Sequence, residues 1–349
     1  MKIGDFIIDK NSPVFIIAEL SANHNGSLNN ALATIKAAKR AGADCIKLQT
    51  YTADTITLDS DKDDFVIKGT IWEGKKLHTL YQEAYTPWEW HEQIFKAAKE
   101  EGLICFSSPF DKTAVDLLES LNSPAYKIAS FEITDIPLIE YVASKKKPII
   151  ISTGIAELED IKVALDACHR MGNYDIALLK CTSSYPAPID EANMCMVRDL
   201  AERFNVISGL SDHTMGSTVP IVATVFGAKI IEKHFIIDRS IGGPDASFSM
   251  NEEEFTQMVK SVREAEKAIG VINYKLTEKQ AKGRDFCRSL YIAEDIKAGE
   301  LFTEKNLKSV RPGFGMHPKF LKDFLGKLAN IDIEKATPMQ LNFVKKIDL

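Results

Sequence analysis

Short runs of β-branched and other apolar residues alternate along the chain with stretches in which apolar positions recur every three to four residues. The first pattern suits strands and the second suits one buried helix face, so strand and helix follow each other in turn. The strand-like runs are Val14–Leu20, Cys45–Thr50, Ile104–Pro109, Tyr126–Ser130, Pro148–Gly154, Ile176–Ser183, Val206–Asp212 and Lys229–Ile237. Candidate helices between them include Asn29–Ala41 and Asp160–Met171, each followed by a glycine of the kind that ends helices. Thr86-Pro87-Trp88-Glu89 predicts a capping box with proline at the first helical position, opening a helix that runs to Gly102. Strand–helix units repeated in this way, with right-handed crossovers, close most naturally into an α/β TIM (β/α)8 barrel.

After the last barrel helix, Asn251–Ile269, the pattern changes. Residues 1–272 form the expected barrel domain, 273–288 a polar and basic linker, and 289–349 a small second domain with turns at Lys297-Ala298-Gly299 and Arg311-Pro312-Gly313. The connection from Tyr51 to Tyr85 is unusually long for its place, is rich in charge and carries Trp72. Long strand-to-helix loops of barrels are commonly lids or substrate-binding loops.

Composition narrows the function classes. The 349 residues are 45% hydrophobic and 26% charged, enough for a large core. A net charge of −6 disfavours a nucleic-acid partner, so any anion site must be local. The first ten residues lack the features of a secretory signal and no apolar run is long enough to span a bilayer, so no membrane partner is expected and the cytoplasm is the expected compartment. The six cysteines form no CxxC pair, and Cys45, Cys105 and Cys181 fall in strand-like runs as expected buried thiols.

Barrel active sites lie at the C-terminal strand ends, and nearly every strand here ends in polar residues. They are Glu19, Lys47 with Gln49, Ser107-Ser108, Lys127 with Ser130 and Glu132, Ser183 with Tyr185, Ser211 with His213, and Glu232 with His234. Lys47 and Gln49 share one face of their strand by the period of two. A lysine pointing into a barrel is costly unless it meets an anion. Lys47 and Lys127 with the serines therefore predict a phosphate and carboxylate site, the alternative being structural ion pairs with Glu19 or Glu132. His213 and His234 end consecutive strands and suit a divalent transition metal with open positions, such as Mn²⁺. His24, in the first strand-to-helix loop, is a further candidate to line the site.

The strings AELSANHNGS (18–27), IKLQTY (46–51), CFSSPF (105–110), YKIASFE (126–132), STGIA (152–156), LKCTSSYP (179–186), GLSDHT (209–214) and EKHFIIDRSIGGPD (232–245) resemble the sialic acid synthase family. RSLYIAEDIKAGE (288–300) and VRPGFG (310–315) resemble that family's C-terminal domain, which is similar to type III antifreeze proteins. Within the family, the segment at 71–95 most resembles the branch that makes pseudaminic acid.

The resemblance implies a transferase that condenses phosphoenolpyruvate with an N-acetylated amino sugar, 2,4-diacetamido-2,4,6-trideoxy-L-altrose for that branch. It implies a metal, Mn²⁺ or else Mg²⁺ or Co²⁺, on His213 and His234, and phosphoenolpyruvate on Lys47, Ser108, Lys127, Ser130, Ser183 and Ser211. Sugar contacts are implied for Gln49, Tyr185, Asp245 and Arg311, and catalytic carboxylate roles for Glu19 and Glu132. Arg311 would act in the partner's barrel of a domain-swapped homodimer. Ser183 and Ala246 depart from residues common in sialic acid synthases, which carry Asn and His there. Sialic and legionaminic acid synthases share the same chemistry and stand as alternatives. A Schiff-base aldolase using Lys127 and a non-catalytic sugar-binding scaffold are readings of other classes.

Overall fold

The computed structural model describes residues 1–345, so the last four positions of the expected 289–349 domain lie outside the described residues. The chain divides into two compact units, Met1–Gly270 and Val271–Leu349.

In the first unit, β1 (Lys2–Ile3) and β2 (Phe6–Ile7) form a small antiparallel hairpin. Eight parallel strands then close into a barrel: β3 (Phe15–Glu19), β4 (Cys45–Thr50), β5 (Ile104–Pro109), β6 (Tyr126–Ile128), β7 (Ile149–Ser152), β8 (Ile176–Cys181), β9 (Ile207–Asp212) and β10 (Ile230–His234). Strand β10 completes the ring by pairing with β3. Strands β4 and β5 have the bounds of the apolar runs that announce them, and the other six are shorter than theirs by residues at the rim of the sheet.

Alternation along the strands explains how one sequence builds both a core and a site. Phe15, Ile17, Cys45, Phe106, Ile150, Ala177, Leu179 and Ile230 pack together as one apolar layer. Two residues further along the same faces come Glu19, Lys47, Ser108, Ser152, Cys181 and Glu232, which line a cavity. The opposite faces carry Ile16, Ala18, Ile46, Leu48 and Ile231, which pack outward with helical residues such as Ala31, Ile35, Phe255 and Val262. Gly209 is required in the interior layer, since a Cβ there would press on the Ile230 backbone.

The helix after β3 runs Leu28–Arg40 with Ser27 as its cap, and Asn251 with Glu254 forms the capping box of Glu252–Ile269. The box expected at Thr86 does not form. A 3₁₀ turn, Trp88–Trp90, precedes the helix His91–Glu100, Pro87 sits at the cap of that turn without a side-chain cap bond, and the Thr86 hydroxyl meets His24 Nε2 at 3.2 Å. A tertiary partner has taken the hydroxyl that local capping would use.

In the second unit, β11 (Ser289–Ile292) and β12 (Leu307–Val310) pair antiparallel over a core of Leu290, Ile292, Ile296, Phe302, Leu307 and Phe324. Within the 273–288 stretch, Thr277 and Gln280 cap a short helix, Glu278–Gly283. All six cysteines are free, with Cys45, Cys105, Cys168 and Cys181 buried. Among the described residues no helix is long and apolar enough to cross a membrane.

Candidate active site

The register of the barrel sets the polar strand ends at one level. His234 pairs with Glu19, Glu19 with Lys47, Gln49 with Ser108, and Ser211 with both Cys181 and Glu232. Their side chains line one cavity of about 50 Å³, together with Lys127, Ser130, Tyr185 and His213.

Lys47 and Lys127 are only 3% and 2% exposed, so each ammonium must find its partners inside the protein. Lys47 Nζ lies 2.5 Å from Glu19 and donates to Ser108 Oγ at 3.2 Å. Lys127 Nζ donates to Ser152 Oγ at 2.6 Å and to the Ile128 carbonyl at 3.1 Å. Glu232 stands between them, 3.9 Å from Lys47 and 3.8 Å from Lys127, and accepts from Ser211 Oγ at 2.9 Å. The ion pair with Glu19 that the sequence allows for Lys47 is therefore present, whereas the ion-pair partner of Lys127 is Glu232 and not Glu132.

Burial opposes the charge on all of these groups, and the neighbours decide the outcome. Burial lowers the Lys127 ammonium below its ordinary range, while Glu19 and Glu232 outweigh burial at Lys47 and hold it above. Burial likewise works against Glu232, but Lys127 and Lys47 bring its carboxyl below the ordinary value. Burial pushes Glu132 up to about 7, with Lys127 opposing, and leaves its Oε2 without a hydrogen-bond partner. Glu132 is thus a carboxyl held above its ordinary range, and it is not among the residues that line the cavity.

The two imidazole rings stand 5.3 Å apart, centroid to centroid. His213 Nδ1 donates to the Thr182 carbonyl at 3.0 Å, which makes Nε2 the ligand nitrogen of the neutral ring, and burial is outweighed by Cys181, which raises the His213 pKa above its ordinary value. Burial, reinforced by His213 and Lys47, drives His234 well below its ordinary pKa and keeps it neutral, the form that ligates metals. Its buried Nδ1 has no hydrogen-bond partner, and Asp245 Oδ2 lies 3.8 Å away. Among the described residues no cluster of three or more His, Cys, Asp or Glu side chains is arranged to hold a metal. The donor set fits an open site in which two imidazoles leave positions for water and substrate, and not a closed structural one.

Other expected residues take separate places. Ser183 Oγ donates to Ser130 Oγ at 2.9 Å, and Gly154 is needed opposite them because a Cβ there would run into both hydroxyls. Asp245 accepts from the Ser21 hydroxyl beside His234. Arg311 belongs to the second unit. His24 is not in the cavity: it bonds Thr86 and Gly26 and lies edge-on to Trp90, 5.5 Å away. Ser107 faces out of the barrel and bonds Thr50 Oγ1, since only every second residue of β5 points inward.

Glu232, Ser152 and Cys181 are the site residues that the sequence reasoning did not select for a role. The signal for Glu232 was available, because it shares the inward face of β10 with His234, while Lys233 between them pairs with Asp212 at 2.6 Å on the other face.

A parallel barrel with lysines, carboxylates and imidazoles gathered at its C-terminal strand ends has the architecture of a barrel enzyme with its active site in the usual place. Comparison with known proteins specifies the class further. The chain belongs to the NeuB family, which matches residues 34–274, and the SAF domain matches residues 288–345. It is 53% identical over 334 residues to a pseudaminic acid synthase of Campylobacter jejuni, covering 96% of this chain and 97% of that one. It is 48% identical over 338 residues to a pseudaminic acid synthase of Helicobacter pylori, covering 96% and 98%. Among solved structures it is similar to the spore coat polysaccharide biosynthesis protein SpsE of Bacillus subtilis, with a TM-score of 0.68, 34% identity and coverage of 100% and 99%.

Proposed function

We propose that this enzyme condenses phosphoenolpyruvate with 2,4-diacetamido-2,4,6-trideoxy-L-altrose and water to give pseudaminic acid and phosphate. What carries the reading is that the strand-end cavity has two chemically distinct parts, in a chain about half identical to two synthases of that product. One part holds the buried lysines and serines, and the other holds the two imidazoles.

In this reading Lys47 and Lys127 bind the phosphate and carboxylate of phosphoenolpyruvate, with Ser108, Ser130, Ser183 and Ser211 as further donors. Glu19, Ser108, Ser152 and Glu232 hold the two ammonium groups in position before the substrate arrives, so the growing negative charge of the leaving phosphate meets preorganised partners. A divalent cation on His213 and His234, proposed as Mn²⁺, supplies Lewis-acid polarisation of the sugar aldehyde when bound. Gln49, Tyr185 and Asp245 hold the sugar so that its aldehyde carbon faces C3 of the enol phosphate. The C3–C1 bond forms, water adds at C2, and the C2–O bond to phosphate breaks with both electrons leaving on the phosphate. Glu132 or Glu19 takes the proton of the attacking water. Arg311 is assigned to the sugar's N-acetyl group in the partner subunit of a cytoplasmic homodimer, on the resemblance of the tail.

The test is phosphoenolpyruvate carrying ¹⁸O in its bridging C–O–P position. The proposal expects every released phosphate to carry the label, and to require the sugar and a divalent cation. Release without label, or without sugar, contradicts it.

A further inference from the structure

The strand-end cavity is too small for its proposed substrates. At about 50 Å³ it falls well below the roughly 300 Å³ at which pockets for small molecules begin. A second cavity of about 660 Å³ lies in the same unit, lined by Asn25, Trp72, Lys75, Glu83, Gly243 and Pro244. One aromatic side chain connects the two. Trp72 lines the outer cavity and its ring centroid lies 5.8 Å from that of Tyr185, which lines the inner one.

The position of Trp72 is built, not incidental. Residues 66–76 fold back on themselves, with Val66 bridged to Lys76, Ile67 N donating to Lys75 O at 2.9 Å and Gly74 N donating to Ile67 O at 2.9 Å. Lys75 pairs with Glu83 at 2.6 Å, and Lys76 pairs with Asp61. The turn of this hairpin presents Trp72 toward the barrel, where the indole N–H donates to the Pro244 carbonyl at 3.2 Å. Its ring then meets Tyr185 and Phe248, and these reach the imidazoles: Tyr185 lies 4.3 Å from His213, and Phe248 lies 5.0 Å from His234. Trp72 is therefore one aromatic ring removed from the imidazoles, and it lines a cavity that Lys47 and Lys127 do not.

We infer that Trp72 is a specificity-determining residue, forming the wall of a subsite for the distal, 6-deoxy end of the acceptor sugar in the outer cavity. The inference rests on the proposed function, which puts the aldehyde carbon at the imidazoles. The far end of the same sugar must then extend past Tyr185 to Trp72. A methyl group packed on an indole gains apolar burial, whereas a hydroxymethyl group held there loses water without an acceptor or donor from the ring. The indole N–H is already engaged by Pro244.

The test compares wild type, Trp72→Ala and Trp72→Phe with 2,4-diacetamido-2,4,6-trideoxy-L-altrose and with N-acetylmannosamine, measuring KM for each sugar and for phosphoenolpyruvate. One apolar contact of this kind discriminates by about 10-fold to 200-fold. Trp72→Ala is expected to raise KM for the diacetamido sugar at least about 10-fold and to lower the ratio of kcat/KM values between the two sugars by a similar factor. Trp72→Phe, which keeps a ring on the wall, restores most of the ratio. KM for phosphoenolpyruvate stays within about twofold of wild type, because Lys47, Lys127 and Ser108 line the inner cavity and Trp72 does not. An unchanged sugar ratio in Trp72→Ala, or equal rises in KM for both substrates, overturns the assignment while the functional reading stands. Failure of the wild type to use the diacetamido sugar overturns the functional reading and the assignment together.

Discussion

Glu132→Gln isolates a buried carboxyl without changing its shape. Its pKa is raised from 4.5 to about 7, first by burial and further by Asp135, against the opposing charge of Lys127. Tyr81, also held above its ordinary value, is another titratable group near it. At about 1.4 kcal/mol for each tenfold change in proton affinity, that rise corresponds to about 3 kcal/mol by which ionisation of Glu132 disfavours the folded state. The sign follows from linkage. A raised carboxyl leaves stability intact below about pH 4.5, where the folded and unfolded chains are both protonated, and stability is lost as pH climbs through about 7. Glutamine does not titrate. The Gln variant should therefore match wild type near pH 4.5 and exceed it near pH 8, by about 6 °C in melting temperature at about 2 °C per kcal/mol for a domain of this size. Thermal melts of the unliganded protein across this range, free of divalent cations, make the measurement. The same variant should lose activity by about 10²-fold to 10⁴-fold if the carboxyl moves a proton during turnover. A pH-independent difference in melting temperature, or a Gln variant less stable than wild type near pH 8, refutes the reasoning.

Other outcomes follow from the rest of the site. Lys127→Met should remove a charge-assisted contact to phosphoenolpyruvate of about 1.5–3 kcal/mol, read as a rise in KM of at least about tenfold, and an unchanged KM counts against the anion site. Borohydride with pyruvate should leave the mass of wild type unchanged, and an adduct on Lys127 would establish the Schiff-base alternative. His213→Ala and His234→Ala should each abolish turnover together with Mn²⁺ binding measured by calorimetry, with the fold intact by circular dichroism; full activity of the exhaustively chelated wild type contradicts the metal assignment. Arg311→Ala and His213→Ala homodimers should each be inactive, while mixed dimers formed by subunit exchange should regain activity, and verified mixed dimers that stay inactive defeat a role for Arg311 in the partner's barrel.

Periodicity carried most of the barrel. Cys45–Thr50 and Ile104–Pro109 appear as strands with the bounds their apolar pattern indicates, because a strand flanked by helices on one side and the barrel interior on the other must be apolar along nearly its whole length. The site was legible where a charged residue broke such a run, as Lys47 does between Ile46 and Leu48. Reading failed where local rules met tertiary competition. The Thr86 hydroxyl serves His24, so neither the capping box nor the exposure of His24 to the cavity follows from their neighbours in sequence. Ser107 and Ser108 look equivalent as a pair, and only the alternation of β5 assigns one to Thr50 and the other to Lys47. Trp72 was visible as an apolar residue in a charged loop, but its position beside Tyr185 depends on a hairpin whose pairing involves residues far from any barrel strand.

The identity of the acceptor sugar is read directly from turnover and product mass. The enzyme is incubated with phosphoenolpyruvate, Mn²⁺ and, separately, 2,4-diacetamido-2,4,6-trideoxy-L-altrose, N-acetylmannosamine and the acceptor of the legionaminic acid branch, with the rate and mass of product read by mass spectrometry. The account predicts fastest turnover of the altrose derivative, with a product mass equal to sugar plus phosphoenolpyruvate plus water minus phosphoric acid. Faster turnover of either other sugar contradicts it.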